Sequence, residues 1–312
     1  MKSDDATLDP AQEKQVRKYA DLLLRKGGAY GRFPTPVSDL VGAAELEIAR
    51  ENALDKVFLG SLYRSLPNSL KLAPDRLKSA LGKVMGLLDR RDRTVHIDKD
   101  LHPKKVVFLS IHEVGHDFLP WQRKTFDVLE DSDSELDPET RDKFEREANC
   151  FSSDVLFQLD TFAKEAADCA FGIRTPLALS KRYGASFYAT ARRYVVTSRF
   201  PCALVVFNRV KDDQGTDRLA FRRSAASSSY LARFGPLVVN AVCGPGTLYY
   251  QHRPFGKFTA PSPCTLSDRN RENVASVIEA FDSTFEVFFL VYPVSARPAA
   301  FSAAGARLSF PN

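Results

Sequence analysis

The sequence predicts an α+β protein, and two kinds of pattern support this fold class. Segments with apolar residues three or four positions apart, such as 10–27 and 104–118, are typical of amphipathic helices. Short alternating or β-branched segments, such as 93–98, are typical of strands, and they become frequent after residue 200. The chain has 312 residues, against the ~100–200 of a typical single domain, so we expect two or three units.

The first 90 residues are predicted to be mainly helical. The first helix spans 10–27, and Gly27-Gly28 ends it because glycine readily adopts the left-handed conformation after a helix. A second helix is expected over 36–45, and helical and loop segments over 46–90. With the later strand and two further helices, residues 1–170 are predicted to form one α+β unit.

The segment His112-Glu113-Val-Gly-His116 lies within the predicted helix 104–118. Residues four positions apart share one face of a helix, so both imidazoles can reach one metal ion, and Glu113 lies beside it. Two neutral imidazoles suit zinc, and a bound zinc lowers the pKa of its water to about 7. A nearby carboxylate can then take a proton from that water. The motif therefore predicts a zinc hydrolase.

A catalytic zinc usually has a third protein ligand. Residues 127–147 contain ten acidic side chains, and most of this stretch is expected to be a solvated loop. Asp137-Pro138 is a typical helix start, and apolar residues recur at helical spacing after it. Glu147 lies on the inward side of this helix, where an acid must be paired or bound to something. Glu147 is therefore the predicted third ligand, with Glu145 as the alternative.

These residues resemble the ImmA/IrrE family of zinc metallopeptidases. The family joins His-Glu-x-x-His to a later helix with Glu-Ala-Asn-x-Phe, which matches residues 147–151 here, and its domains open with a proline-led helix similar to 34–40. The resemblance implies a zincin-like helical domain with a small sheet, Zn²⁺ or else Mn²⁺ as the metal, and a protein substrate such as a transcriptional repressor. It implies these roles: His112, His116 and Glu147 as metal ligands and Glu113 as the catalytic glutamate.

Composition favours a cytoplasmic protein without a membrane partner. The first residues lack the apolar core of a signal peptide, and the chain has no run of about 18 apolar residues that could span a bilayer. The five cysteines are scattered without a C-x-x-C pair, so we expect reduced thiols rather than disulfides or a cysteine zinc site.

Residues 171–199 contain six basic side chains and no acid, although the net charge of the whole chain is only +5. Two short helices around Gly184 predict a helix-turn-helix-like segment over 171–200, which members of the resembled family often carry. Lysine and arginine there can contact phosphates, which predicts weak duplex DNA binding. Alternatively, the helical pair packs on the acidic domain or links two domains. The candidate DNA contacts are Lys181, Arg182, Arg192 and Arg193.

Residues 201–295 are predicted to form a C-terminal α+β sensory or recognition domain. Some members of the resembled family place a GAF-like domain at this point. Residues 296–312 are expected to be a flexible tail. The predicted elements are strands at 202–207, 219–223, 237–242, 248–250 and 285–292 and a helix at 271–281.

Two functional hypotheses follow. The first is a cytoplasmic zinc-dependent endopeptidase that cuts a regulatory protein, such as a repressor, in a stress or mobile-element response. The second is a DNA-binding regulator whose peptidase-like domain is a metal-stabilised scaffold or sensor. A purely structural zinc site would instead require four protein ligands and no open position.

Overall fold

Helices dominate the first part of the chain in the structure, a computed structural model that describes residues 8–49, 86–98, 100–132 and 136–296. The chain divides into two compact units. Most of the segment predicted over 46–90, and the tail beyond 296, lie outside the described residues. The first unit comprises Met1–Thr161 and Arg182–Ser186, and the second comprises Phe162–Lys181 and Phe187–Asn312.

The first unit combines helices with a small sheet. The strands follow the order β1 (47–48), β3 (94–97), β2 (86–89), with β1 parallel and β2 antiparallel to β3. Its elements are α1 (Pro10–Lys26), α2 (Val37–Ala43), β1 (Glu47–Ile48), β2 (Gly86–Asp89), β3 (Thr94–Ile97), α3 (Pro103–Phe118), α4 (Pro120–Ser132) and α5 (Pro138–Leu156). The helices predicted at 10–27, 36–45 and 104–118 and the strand at 93–98 are thus confirmed.

Local sequence explains where these helices begin. Asp9 and Asp137 precede α1 and α5, and each side chain accepts hydrogen bonds from two backbone N–H groups of the first turn. A proline follows each cap at the first helical position, where its missing N–H costs nothing. The start of α5 at Asp137-Pro138 is therefore confirmed.

Small residues allow α3 and α5 to approach each other closely. A Cβ added to Gly115 would lie 3.1 Å from a ring carbon of Phe151 and 3.5 Å from the Cα of Ala148. The glycine inside the histidine motif thus removes the side chain that would push α5 away. This close contact brings the histidine helix and the acidic helix together in one core.

The described part of the second unit has an antiparallel sheet of six strands, named below in chain order. From one edge to the other the strands are β6 (242–243), β5 (217–226), β4 (203–211), β9 (286–293), β8 (273–282) and β7 (262–267). Three helices precede the strands in sequence, and two short helices lie between strands along the chain. The helices are α6 (Asp160–Asp168), α7 (Arg174–Arg182), α8 (Phe187–Val196), α9 (Ser228–Phe234) and α10 (Leu248–Gln251). The strands are β4 (Ala203–Lys211), β5 (Asp217–Ala226), β6 (Val242–Cys243), β7 (Ser262–Ser267), β8 (Asn273–Asp282) and β9 (Glu286–Pro293). The predicted α+β class holds for both units, and the GAF-like character of this one stays a prediction.

Three predicted elements of the second unit were wrong. The helix expected at 271–281 is strand β8, in which residues 276–281 are all buried. The apolar residues of this segment do not alternate with polar ones, and periodicity alone does not distinguish a buried helix from a strand that is buried on both faces. Residues 248–251 form a single helical turn instead of a strand, and only Val242–Cys243 of the segment near 240 pairs with β5.

Helix α8 and the turn before α7 pack against the sheet of the second unit. The ring of Phe187 lies 4.4 Å from that of Phe281 and 4.7 Å from that of Phe288, between ring centroids. The buried carboxylate of Glu279 on β8 accepts hydrogen bonds from the backbone N–H of Ile173 and from the hydroxyl of Tyr292. A polar contact at Ile173 and aromatic contacts at Phe187 therefore hold these two residues against the strands of the second unit.

Candidate metal centre

Two histidines and one acid meet between α3 and α5. The Nε2 atoms of His112 and His116 are 3.2 Å apart, as their spacing of one helical turn predicts. From α5, the carboxylate of Glu145 lies 3.3 Å from Nε2 of His112 and 3.8 Å from Nε2 of His116. Both imidazoles are at least four-fifths buried, whereas about half of the Glu145 side chain is exposed.

The donor set of this group fits a metal ion. A tetrahedral zinc with bonds of about 2.0–2.1 Å has neighbouring ligand atoms about 3.3–3.4 Å apart, close to the separations of the three side chains. Among the described residues, this trio is the group of histidine, cysteine and acidic side chains that could hold a metal, with ligand atoms within 4.8 Å of one another. Its two imidazoles and one carboxylate match the three-ligand set of catalytic zinc sites.

Glu147, the third ligand expected from sequence, is placed elsewhere. Its side chain is buried, and its Oε2 accepts a hydrogen bond of 2.7 Å from the indole N–H of Trp121 and another of 2.7 Å from the amide of Gln122. Residues two positions apart do not share a helix face, so Glu145 and Glu147 cannot both point at the histidines. The structure places Glu145, the alternative, beside the imidazoles.

Burial and nearby charges shift the pKa values of the two histidines in opposite directions. Burial lowers the pKa of His116 to about 4, and the charge of His112 adds to this effect. Burial also lowers the pKa of His112, but its hydrogen bond to Glu145, the charges of Glu113 and Glu145 and a hydrogen bond to Asn149 outweigh it and raise the value overall. Only the neutral imidazole binds metal, so metal affinity should fall as the pH is lowered.

Glu113 lies between His112 and His116 in sequence and is only partly exposed. Burial raises its pKa to about 7, the charge of His112 opposes this, and the negative charge of Glu145 adds to it. A bound cation would favour the carboxylate form and lower this value. A strongly shifted pKa in a group of titratable side chains is typical of functional sites, and the catalytic role expected for Glu113 stays a prediction.

Two arginines that belong to no recognisable motif stabilise the end of α3, the helix that carries both histidines. The guanidinium of Arg90 donates a hydrogen bond of 2.9 Å to the backbone carbonyl of His116. Arg93 forms an ion pair of 2.8 Å with the buried Asp117 and donates another hydrogen bond to the carbonyl of Ala44. These contacts tie the β2–β3 hairpin to the motif. No spacing pattern in a single sequence marks them, nor does one mark Trp121 and Gln122.

The four basic side chains expected to contact DNA occupy different environments. Lys181 is exposed at the end of α7, while the guanidinium of Arg182 stacks on the ring of Phe33 at 4.0 Å. Arg192 and Arg193 are partly buried on α8. DNA binding by this segment stays a prediction, and Arg182 already has an aromatic partner within the first unit.

The second unit contains a cavity of about 650 Å³. It combines aromatic rings with positive and negative charges, and Phe255 in its wall is 91% exposed. The sensory or recognition role expected for this domain stays a prediction. Its lining includes Phe187, Phe255, Phe281, Arg209, Arg253, Lys257, Asp217 and Asp282.

A family of known proteins matches the part of the chain that carries the candidate metal centre. Residues 76–194 match the family model Peptidase_M78, the IrrE N-terminal-like domain, and this stretch includes the histidine motif, Glu145 and Glu147. The resemblance to the ImmA/IrrE metallopeptidases is therefore confirmed for this part of the chain. No curated protein matches the sequence.

A solved structure shares the fold. A Mycobacterium tuberculosis transcriptional regulator superposes with a TM-score of 0.50 at 13% identity, over 90% of this chain and 77% of that one. At this identity the likeness concerns the fold alone. In the described part of the chain, no helix has both the length and the apolar character needed to cross a membrane.

Proposed function

We propose that this protein is a cytoplasmic metal-dependent endopeptidase that cuts a regulatory protein, such as a transcriptional repressor, in a stress or mobile-element response. The observation that supports this activity is the convergence of His112, His116 and Glu145 from two packed helices, with Glu113 next to the first ligand. We propose these three side chains as the metal ligands, with zinc as the metal and manganese as the alternative. The match to the IrrE N-terminal-like domain supports the same class.

The chain's own residues would divide the chemistry between them. When bound, zinc would polarise the scissile carbonyl and acidify water. Glu113 would accept a proton from the attacking water on a carboxylate oxygen and later donate it to the leaving amine. Glu145 would bring a negative charge that balances the metal, while its exposed position keeps this side of the site open to a polypeptide. The two largely buried imidazoles would exclude water from the opposite side.

The substrate proposal can be tested with the repressor encoded nearest to the gene of this protein. We expect the purified full-length chain, loaded with zinc, to cut this repressor at one or a few peptide bonds, because a metal-activated water hydrolyses amides. Mass spectrometry of the products locates the bonds. A chelator-treated sample of the same chain is the control. If the repressor stays intact while generic unfolded peptides are cut, the substrate proposal is wrong and the peptidase proposal stands.

A DNA-binding regulator is the second candidate. The acid-free stretch 171–199 supports it, as does the fold shared with a chain named a transcriptional regulator. Under this proposal, replacing Lys181 and Arg192 by alanine weakens duplex binding and lowers the salt slope of log Kd by about 0.9 for each phosphate that the variant no longer neutralises. Fluorescence anisotropy across salt concentrations measures both quantities.

A matched pair of exposed lysines outside this segment provides the control. Lys14→Ala with Lys164→Ala removes the same charge and should leave the slope unchanged if the basic segment makes the contacts. Equal slopes for both double variants and the unmodified chain would remove the DNA-binding proposal.

A further inference from the structure

We propose that Gln122 is a positioning residue that holds the proton of His116 on Nδ1 and thereby leaves Nε2 free to bind the metal ion. The inference rests on the metal site proposed above. It concerns two buried side chains, Gln122 on α4 and Glu147 on α5, that are hydrogen-bonded to each other.

The hydrogen bonds around Gln122 fix the orientation of its amide. The nitrogen Nε2 lies 2.7 Å from Oε2 of Glu147 and 3.2 Å from the backbone carbonyl of Phe144. A backbone carbonyl can only accept, so the amide nitrogen must be on this side. The indole N–H of Trp121, which can only donate, points at the same Oε2 at 2.7 Å. With two N–H donors directed at it, this oxygen acts as an acceptor.

The amide oxygen then decides the tautomer of the histidine. Oε1 of Gln122 lies 2.8 Å from Nδ1 of His116, and an amide oxygen only accepts. Nδ1 must therefore carry the hydrogen. In a neutral imidazole the other nitrogen then presents its lone pair, and Nε2 of His116 is the atom that faces His112 and Glu145. The ring is thus prepared for a metal before one arrives.

This arrangement explains why an acid is buried at position 147. Metal-binding histidines commonly donate their second N–H to a carboxylate or a carbonyl, which fixes the ring and raises its basicity. Here an amide stands between the ring and the carboxylate: Glu147 orients Gln122, and Gln122 orients His116. Glu147 therefore serves the site through Gln122 rather than by contacting the metal.

The tautomer can be measured directly in the metal-free, full-length chain. With ¹⁵N-labelled histidine, long-range ¹H–¹⁵N correlation spectra distinguish an Nδ1–H ring from an Nε2–H ring, and a His116→Gln sample assigns the signal. We expect the His116 ring to carry its hydrogen on Nδ1. A His116 signal of the Nε2–H form in the unmodified chain would overturn the inference without any substitution of Gln122.

Substitution tests the role of the amide in metal binding. Gln122→Leu removes the hydrogen bonds to His116, Glu147 and the carbonyl of Phe144. We therefore expect a mixed tautomer at His116 and zinc affinity about 10–100-fold weaker, measured by competition with a chromophoric chelator. The matched control is Gln158→Leu. Gln158 is also fully buried in the first unit, but its hydrogen bonds are to Gly31, Arg32 and Thr35. It should change neither the tautomer nor the affinity. Equal affinities for the two variants would contradict the inference.

These readouts are independent of peptide cleavage. If the chain cuts no substrate yet shows the Nδ1–H form and the selective loss of zinc affinity, the peptidase proposal fails and the inference holds. If the chain cuts substrate while His116 carries its hydrogen on Nε2, the inference fails and the peptidase proposal holds.

Discussion

Replacing Glu113 by glutamine is expected to lower peptide-bond cleavage by about 10²–10⁴-fold, the usual contribution of a general base. The amide has nearly the shape of the carboxylate but cannot accept a proton from water at neutral pH. Metal binding should persist, because the three proposed ligands are untouched and because removing a negative charge beside His112 favours its neutral form. Zinc content by atomic absorption and cleavage rate by quantified product peptides measure the two effects.

The control for this variant is Glu139→Gln, which makes the same chemical change at an exposed position in the first turn of α5. It should cleave at the rate of the unmodified chain. Full cleavage by Glu113→Gln would show that another group acts as the base. Loss of zinc from Glu113→Gln alone would show that Glu113 contributes to holding the metal.

The second large effect should distinguish the role of Glu145 from that of Glu147. Glu145→Gln replaces a charged ligand by a neutral amide, and we expect a loss of zinc affinity greater than the ~10–100-fold typical of residues outside the ligand shell. Glu147→Gln keeps a carbonyl oxygen that can still accept from Trp121 and Gln122, so its affinity should fall by less than about tenfold. Chelator competition on the two variants, prepared side by side, gives the comparison.

The reverse order of affinities would restore Glu147 as the ligand, as expected from the sequence. Because both variants remove one negative charge from the same helix, a difference between them cannot come from net charge. Each variant is therefore the control for the other. Thermal unfolding without metal checks that both chains are folded when affinity is measured.

The choice between Glu145 and Glu147 shows what the sequence leaves open at this site. Helical spacing places His112 and His116 on one face, and the Asp137-Pro138 cap places the start of α5, because both are local effects. The inward stripe of α5 correctly indicates that Glu147 is buried. It does not say what the buried acid faces. Its partners Trp121 and Gln122 lie on α4, and their approach depends on tertiary packing that no local pattern records.

The same reason explains the errors in the C-terminal sheet. Residues 276–281 of β8 are buried on both sides of the sheet, the polar Ser276 and Glu279 included, so the segment lacks the alternation that marks a half-exposed strand. Strand β9 has a similar run but was correctly predicted, because its β-branched and aromatic residues favour strands. The burial pattern of a strand depends on what packs against its two faces, and those residues are far from the strand in sequence.

The contacts of Phe187 and Glu279 affect how this protein can be divided. The segment 171–196 has the composition of a separate basic module. However, the ring of Phe187 contacts aromatic rings of two strands, and the backbone N–H of Ile173 donates a hydrogen bond to the buried Glu279 on β8. In a chimera that exchanged residues 171–200 alone, the incoming helices would meet a foreign strand surface and would lose the contacts of Phe187 with Phe281 and Phe288. Recombination during evolution or engineering should therefore preserve these helices and strands as one inherited block.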